Sequence, residues 1–117
     1  MAKNYVQDGT TIEWVNSTGK AVASGAPVQV GNIVGVAHAD IAPGETGVLH
    51  MSGVFQLPKN APDAWVAGTK VYLIPATGLI TIADDDGATT PAAYPLAGSA
   101  WSGVSSGDAL CLVRLGY

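Results

Sequence analysis

Apolar residues along this chain fall into short runs, each cut off by glycine, proline or a polar cluster. Thr11-Ile12-Glu13-Trp14-Val15 ends at Asn16-Ser17-Thr18-Gly19. Pro27-Val28-Gln29-Val30 leads through Gly31-Asn32 into Ile33-Val34-Gly35-Val36-Ala37, and the Gly-Asn pair predicts a tight turn because both residues tolerate positive φ. Val48-Leu49-His50-Met51 and Val54-Phe55-Gln56-Leu57 flank Ser52-Gly53, which reads as a hairpin turn or as a bulge in one long bent strand. Lys70-Val71-Tyr72-Leu73-Ile74 and Leu79-Ile80-Thr81-Ile82 enclose Pro75-Ala76-Thr77-Gly78, a hairpin signature. Asp84-Asp85-Asp86-Gly87 opens a loop through Pro91 and Pro95, and Leu110 to Leu115 forms a last strand. Ala61-Pro62-Asp63-Ala64-Trp65-Val66 is the one possible helical turn.

Long helices are excluded by the punctuation. Gly 15 and Pro 7 are spread along all 117 residues, and the longest stretch free of both is residues 10–18. A typical helix needs about 11–12 residues, and an interior Gly or Pro costs it roughly 1 or 3 kcal/mol. The expected fold is all-β: a small β-barrel or β-sandwich with short hairpins and at most one short helical turn. Residues 1–9 read as a polar N-terminal arm and residues 10–117 as a single β-rich domain. A weak internal echo runs through that domain. Gly35-Val36-Ala37, Pro43-Gly44-Glu45 and Gly53 recur 63 positions later as Gly98-Ser99-Ala100, Ser106-Gly107-Asp108 and Gly116. The echo predicts a hairpin used twice; two copies are too few for a solenoid.

Charge narrows the partners. Hydrophobic residues make up 48% and charged residues 12%, about half the usual share of roughly 25%. The net charge of −4 is too small, and the apolar content too high, for a disordered segment. Five Lys+Arg against nine Asp+Glu leave no electrostatic footprint for nucleic acid or an anionic membrane. No run approaches the ~20 apolar residues that span a bilayer. The first nine residues carry no apolar signal-peptide core, and the lone Cys111 reads as a small buried hydrophobe. Synthesis and folding in a reducing cytoplasm are expected.

Catalytic constellations are sparse. No Gly-x-Ser-x-Gly elbow, His-Glu-x-x-His helix or phosphate loop occurs. His38 and Asp40 sit two apart on a strand or its edge, a spacing that suits a solvated edge better than a general base. His38, His50 and Cys111 have no local metal-ligand spacing and make a poor zinc set. Asp84-Asp85-Asp86-Gly87 could cage a hard cation, but position twelve counted from Asp84 is Pro95 where an EF-hand has Glu. A solvated β-turn is the favoured reading. Trp14, Trp65 and Trp101 could stack sugars, yet few Asn, Gln or Arg flank them to bond hydroxyls, so core filling or a subunit interface is preferred. Catalytic, cofactor and metal sites are accordingly expected to be absent.

The succession Met1-Ala2-Lys3-Asn4-Tyr5-Val6-Gln7-Asp8-Gly9, Val34-Gly35-Val36-Ala37, Ala42-Pro43-Gly44-Glu45, Ser52-Gly53-Val54-Phe55-Gln56-Leu57-Pro58-Lys59 and Ala67-Gly68-Thr69-Lys70-Val71-Tyr72 resembles the capsid cement or head-decoration proteins of tailed phages. The match runs nearly end to end, through Val113-Arg114-Leu115-Gly116, and its middle also looks like lambda-type decoration proteins. The resemblance implies a β-rich, non-catalytic virion protein on the outside of the assembled head, made in the bacterial host cytoplasm. Its implied partners are the major capsid protein and further copies of itself, with a homotrimer favoured and a dimer possible. Lys3, Asn4, Tyr5, Val6 and Gln7 are the expected capsid-binding residues, in an arm that orders on binding. Trp65, Trp101 and Tyr117 are the expected oligomer-interface residues. The alternative is a virion-displayed module gripping cell-surface glycans through Trp65 or Trp101.

Overall fold

A computed structural model describes Asn4, residues 9–87 and residues 92–116. Among the described residues nine strands follow in order: β1 (Thr11–Val15), β2 (Pro27–Val30), β3 (Ile33–Ala37), β4 (Thr46–His50), β5 (Gly53–Pro58), β6 (Lys70–Ile74), β7 (Leu79–Thr81), β8 (Leu96–Ala100) and β9 (Leu110–Leu115). No helix occurs among the described residues. The strands form one curled sheet, a half-barrel, in keeping with the all-β expectation.

β8 is the hub of this sheet. Its Leu96 pairs in parallel with Ile33 of β3 on one side and antiparallel with Tyr72 of β6 on the other. Two residues later Gly98 pairs with Val71 of β6 and, across the opposite edge, with Leu115 of β9. Two strands therefore share one edge of β8, with β3 at its start and β9 along the rest. Beyond β9 lies β5, paired in register from Gly53↔Leu115 to Pro58↔Leu110. Beyond β6 lies β7, and an isolated parallel bridge, Lys59↔Ile80, returns the end of β5 to β7. That return gives the sheet its curl.

The other limb is built on β3, which carries β2 and β4 as antiparallel neighbours, with β1 outside β4. Gly31-Asn32 closes the β2–β3 hairpin and the Pro75–Gly78 tetrapeptide closes the β6–β7 hairpin, as the sequence predicts. Ser52-Gly53 resolves differently. β4 and β5 do not pair with each other, so Gly53 (φ 112°) marks a corner at which the chain leaves one limb for the other. The possible helical turn at residues 61–66 is extended at its end: Trp65 N–H donates to Val104 O at 3.2 Å, and Val104 N–H returns to Trp65 O at 2.9 Å.

Strand alternation sends apolar side chains to two cores. Inside the curl, Val34, Val36, Leu57, Trp65, Val71, Leu73, Ile80, Ala97, Ala100, Cys111, Val113 and Leu115 pack together. Val28, Ala37, Ile41 and Leu49 form a smaller cluster on the other limb, with Trp14 and Met51 against it. Each fully buried Val, Leu or Ile contributes on the order of 1.5–3 kcal/mol, so the larger cluster dominates stability. A buried Asn16 fastens the loop after β1. Its amide donates to Lys20 O (2.7 Å) and Ile41 O (3.0 Å), and its Oδ1 accepts from Thr18 N–H (3.1 Å) and the Thr18 hydroxyl (2.7 Å).

Candidate functional site

The outward side of β5 and β9 is unusually apolar. In β9, Cys111, Val113 and Leu115 point inward, which sends Leu110, Leu112 and Arg114 to the outside. Their register partners on β5 are Pro58, Gln56 and Val54, so one outer patch carries Leu110 (50% exposed), Val54 (43%), Leu112 and Pro58, with Gln56 in its middle opposite Leu112 and Arg114 at one end opposite Val54. Trp101 extends it. Its backbone N–H donates to Leu112 O at 3.0 Å, one step beyond the Ala100↔Val113 pair, so its indole stands on the outer side and the residue is 57% exposed. Val66, 73% exposed, lies on the neighbouring loop, where the Trp65↔Val104 bridge brings residues 65–66 beside Gly103. Exposed apolar residues with a few polar ones among them form the composition of a contact surface.

The sequence-predicted residues divide between this surface and the interior. Trp101 is on the surface. Trp65 is buried in the core behind it, at 7% exposure, and Lys59 Nζ lies 5.7 Å from its ring centroid. Tyr117, Lys3, Tyr5, Val6 and Gln7 lie outside the described residues; Asn4 is exposed in a turn. Just before β1, Thr10 O accepts Met51 N–H at 2.8 Å, tying the start of β1 to the end of β4. Leu110, Leu112, Val54 and Val66 escaped the sequence reading. For Leu110 and Leu112 a signal was present in β9, where the start of the run is apolar on both faces although a strand with one wet face should alternate.

Other candidate chemistry is accounted for locally. Cys111 directs its thiol at Leu57 O (3.5 Å) inside the core, and burial pushes its pKa up to about 11 despite the opposing positive charge of Lys59. Asp85 Oδ1 accepts Gly87 N–H at 2.9 Å and Asp86 Oδ1 accepts Ala92 N–H at 3.2 Å, so these carboxylates cap the backbone of their own loop. Asp63 Oδ2 accepts from the Thr81 hydroxyl and from Asn60 Nδ2 (3.3 Å), holding the 60–63 loop on β7. His38 and His50, twelve apart in sequence, meet with Nδ1 and Nε2 2.9 Å apart. No group of three or more His, Cys, Asp or Glu residues disposed to hold a metal occurs among the described residues.

A small half-barrel with an apolar outer face defines a structural contact module. The chain belongs to the phage cement protein family, whose sequence model matches residues 6–115 of the 117. Membership supports a structural, capsid-stabilising role and association with the phage capsid. Comparison with curated proteins and with solved structures gave no match.

Proposed function

We propose that this protein is a non-catalytic cement protein that binds the outer surface of the assembled phage head and reinforces it by joining major capsid proteins to one another and to further copies of itself. The observation that carries the reading is the Trp101 face. A domain with 12% charged residues presents Trp101, Leu110, Leu112 and Val54 on one outer surface, where covering them costs little charge desolvation. A neighbouring copy is the proposed occupant of this face, with Trp65 as its internal support and Tyr117, next to the end of β9, as a further contact. A trimer is favoured and a dimer is the second possibility. Residues 1–9 form the proposed capsid-binding arm, with Lys3, Asn4, Tyr5, Val6 and Gln7 as its contacts. Per-copy binding can be weak, because an oligomer engages several capsid sites together.

The test is binding to purified, expanded empty heads, read as added density by electron cryomicroscopy. Wild-type protein should decorate the outer surface. Deleting residues 3–8 should remove decoration while leaving the circular dichroism spectrum unchanged, and Trp101→Glu should lower the oligomeric state in solution. Undiminished decoration by the deletion removes the arm from the proposal. The exposed indole of Trp101 also favours a second reading, glycan binding by a virion-displayed module. Specific, Trp101-dependent signals on a glycan array with no head binding would select it.

A further inference from the structure

We propose that His38 and His50 form a two-histidine chelate for a borderline divalent transition-metal ion of the Ni²⁺, Cu²⁺ or Zn²⁺ class. The two residues stand on one face of the β3–β4 ladder. His50 pairs with Val36, the next rung is Ala37↔Leu49, and His38 N–H then donates to Val48 O at 3.0 Å, so the rings are diagonal neighbours on adjacent strands. Nδ1 of His38 lies 2.9 Å from Nε2 of His50, with ring centroids 5.0 Å apart at 64°. Two imidazole nitrogens bound to one ion at about 2.0–2.1 Å lie about 2.9 Å apart in a cis square or octahedral arrangement and roughly 3.3 Å apart in a tetrahedral one. In the free protein this separation is an imidazole–imidazole hydrogen bond. It equals the first of these distances, so an ion would replace the shared proton with both rings turned slightly to aim their lone pairs at it, and a shift of a few tenths of an ångström reaches the second.

The site is held before any ion arrives. The ring of His50 packs on Phe55, centroids 5.7 Å apart, and Ser24 Oγ donates to the His38 carbonyl at 3.3 Å. His38 is exposed, so water can complete the coordination sphere. The nearby acids contribute charge rather than ligands. Asp40 Oδ1 accepts Ser24 N–H at 2.8 Å, and Glu13 sits opposite Val48 on β1. Imidazole pairs select this class of ion over Mg²⁺ or Ca²⁺, which take oxygen ligands. A bound ion would pin β3 to β4, whose direct register amounts to Val36↔His50 and Ala37↔Leu49.

The experiment is calorimetric titration of the intact protein with NiCl₂ and, separately, MgCl₂ at neutral pH. Expected is one Ni²⁺ per chain with a Kd on the order of 10–100 µM and no Mg²⁺ binding. His38→Gln and His50→Gln should each weaken Ni²⁺ binding at least about tenfold, because either change destroys the chelate. The exposed His38 is the deciding position if the His50 variant folds poorly. Wild-type Ni²⁺ binding weaker than about 1 mM, or affinity retained in His38→Gln, overturns the proposal.

Discussion

The ammonium of Lys59 is buried beside the ring of Trp65, 5.7 Å from its centroid, at the point where the end of β5 meets two loops. Its partners are carbonyls: Ala61 O at 2.8 Å, Asn60 O at 3.0 Å and Asp108 O at 3.4 Å. One side chain thus ties the 60–61 loop to the turn before β9, and its backbone N–H adds a bond to Ala109 O at 2.9 Å. Trp65 gives the ammonium an aromatic neighbour, while its own buried Nε1 finds no acceptor among the described residues.

Lys59→Met tests that tie, since it keeps the aliphatic stem and removes only the charge and its donors. The carbonyls left behind lose their strongest donor, and each unsatisfied buried group costs about 1–3 kcal/mol. Urea denaturation should show the variant less stable by about 1–3 kcal/mol overall, with water recovering part of the loss. A midpoint equal to that of wild type would mean the ammonium contributes nothing net.

Gly98 is the residue whose size the hub strand depends on. A Cβ there would overlap the Arg114 carbonyl oxygen, which belongs to the backbone of β9 and cannot swing aside. Gly98→Ala should therefore open the β8–β9 pairing and cost more than about 3 kcal/mol, or leave the protein insoluble. Gly47→Ala provides the contrast, because its Cβ meets the buried side chain of Ile41 and no backbone atom, so the strain is relieved by a shift of that side chain while the strand pairing stays intact. A loss of roughly 1–2 kcal/mol is expected there. Thermal denaturation of the pair decides, and equal losses would contradict the argument.

Cys111 makes stability depend on alkaline pH. Its thiol rises from an ordinary 9.0 to about 11 in the folded chain, with burial as the leading cause and Lys59 opposing it. Below pH 9 both folded and unfolded chains hold the proton, so the thiol contributes no slope. Above pH 9 the unfolded chain releases it first, and stability falls as pH rises through about 11. Urea midpoints at about pH 8 and about pH 10.5 should diverge more for wild type than for Cys111→Ala. The same burial should keep the native thiol inert to a disulfide reagent at about pH 8 until denaturant is added, and rapid native labelling would refute it.

The strands were legible where β-branched runs met turn residues: β1, β2, β3, β6 and β9 fall on the predicted runs to the residue, while β4 and β5 shift by a position or two. β8 was not legible as a strand. Its sequence, Leu-Ala-Gly-Ser-Ala, has the small residues of a loop because three neighbouring strands crowd it, a tertiary demand that local propensity does not carry. The internal echo came closest, since its offset of 63 is the offset of the parallel pair Ile33↔Leu96, and β3–β4 and β8–β9 are its two hairpins. The corner at Gly53 could not be read locally, as nothing in Ser52-Gly53 tells which strand β5 will join. Of the candidate surface, Trp101 was visible as an aromatic in a Gly/Ser loop. The outward Leu110 and Leu112 needed the register of β9 to distinguish them from core.

Trp65 and Trp101 should separate cleanly in experiment, because one belongs to the core and the other to the outer face. Trp65→Ala empties a buried site among Leu57, Val71 and Val113 and should cost about 3–5 kcal/mol. Trp101→Ala removes a ring that is 57% exposed, and its effect on the stability of a single chain should stay within about 0.5 kcal/mol. Iodide should quench the Trp101 contribution to fluorescence, identified by its loss in Trp101→Phe, and leave that of Trp65 largely untouched. Under conditions where the protein self-associates, quenching of Trp101 should fall with increasing concentration, as the proposed cover of the ring by a neighbouring copy requires. Quenching independent of concentration across a demonstrated change of oligomeric state would place the subunit contact elsewhere and leave the Trp101 face for the capsid.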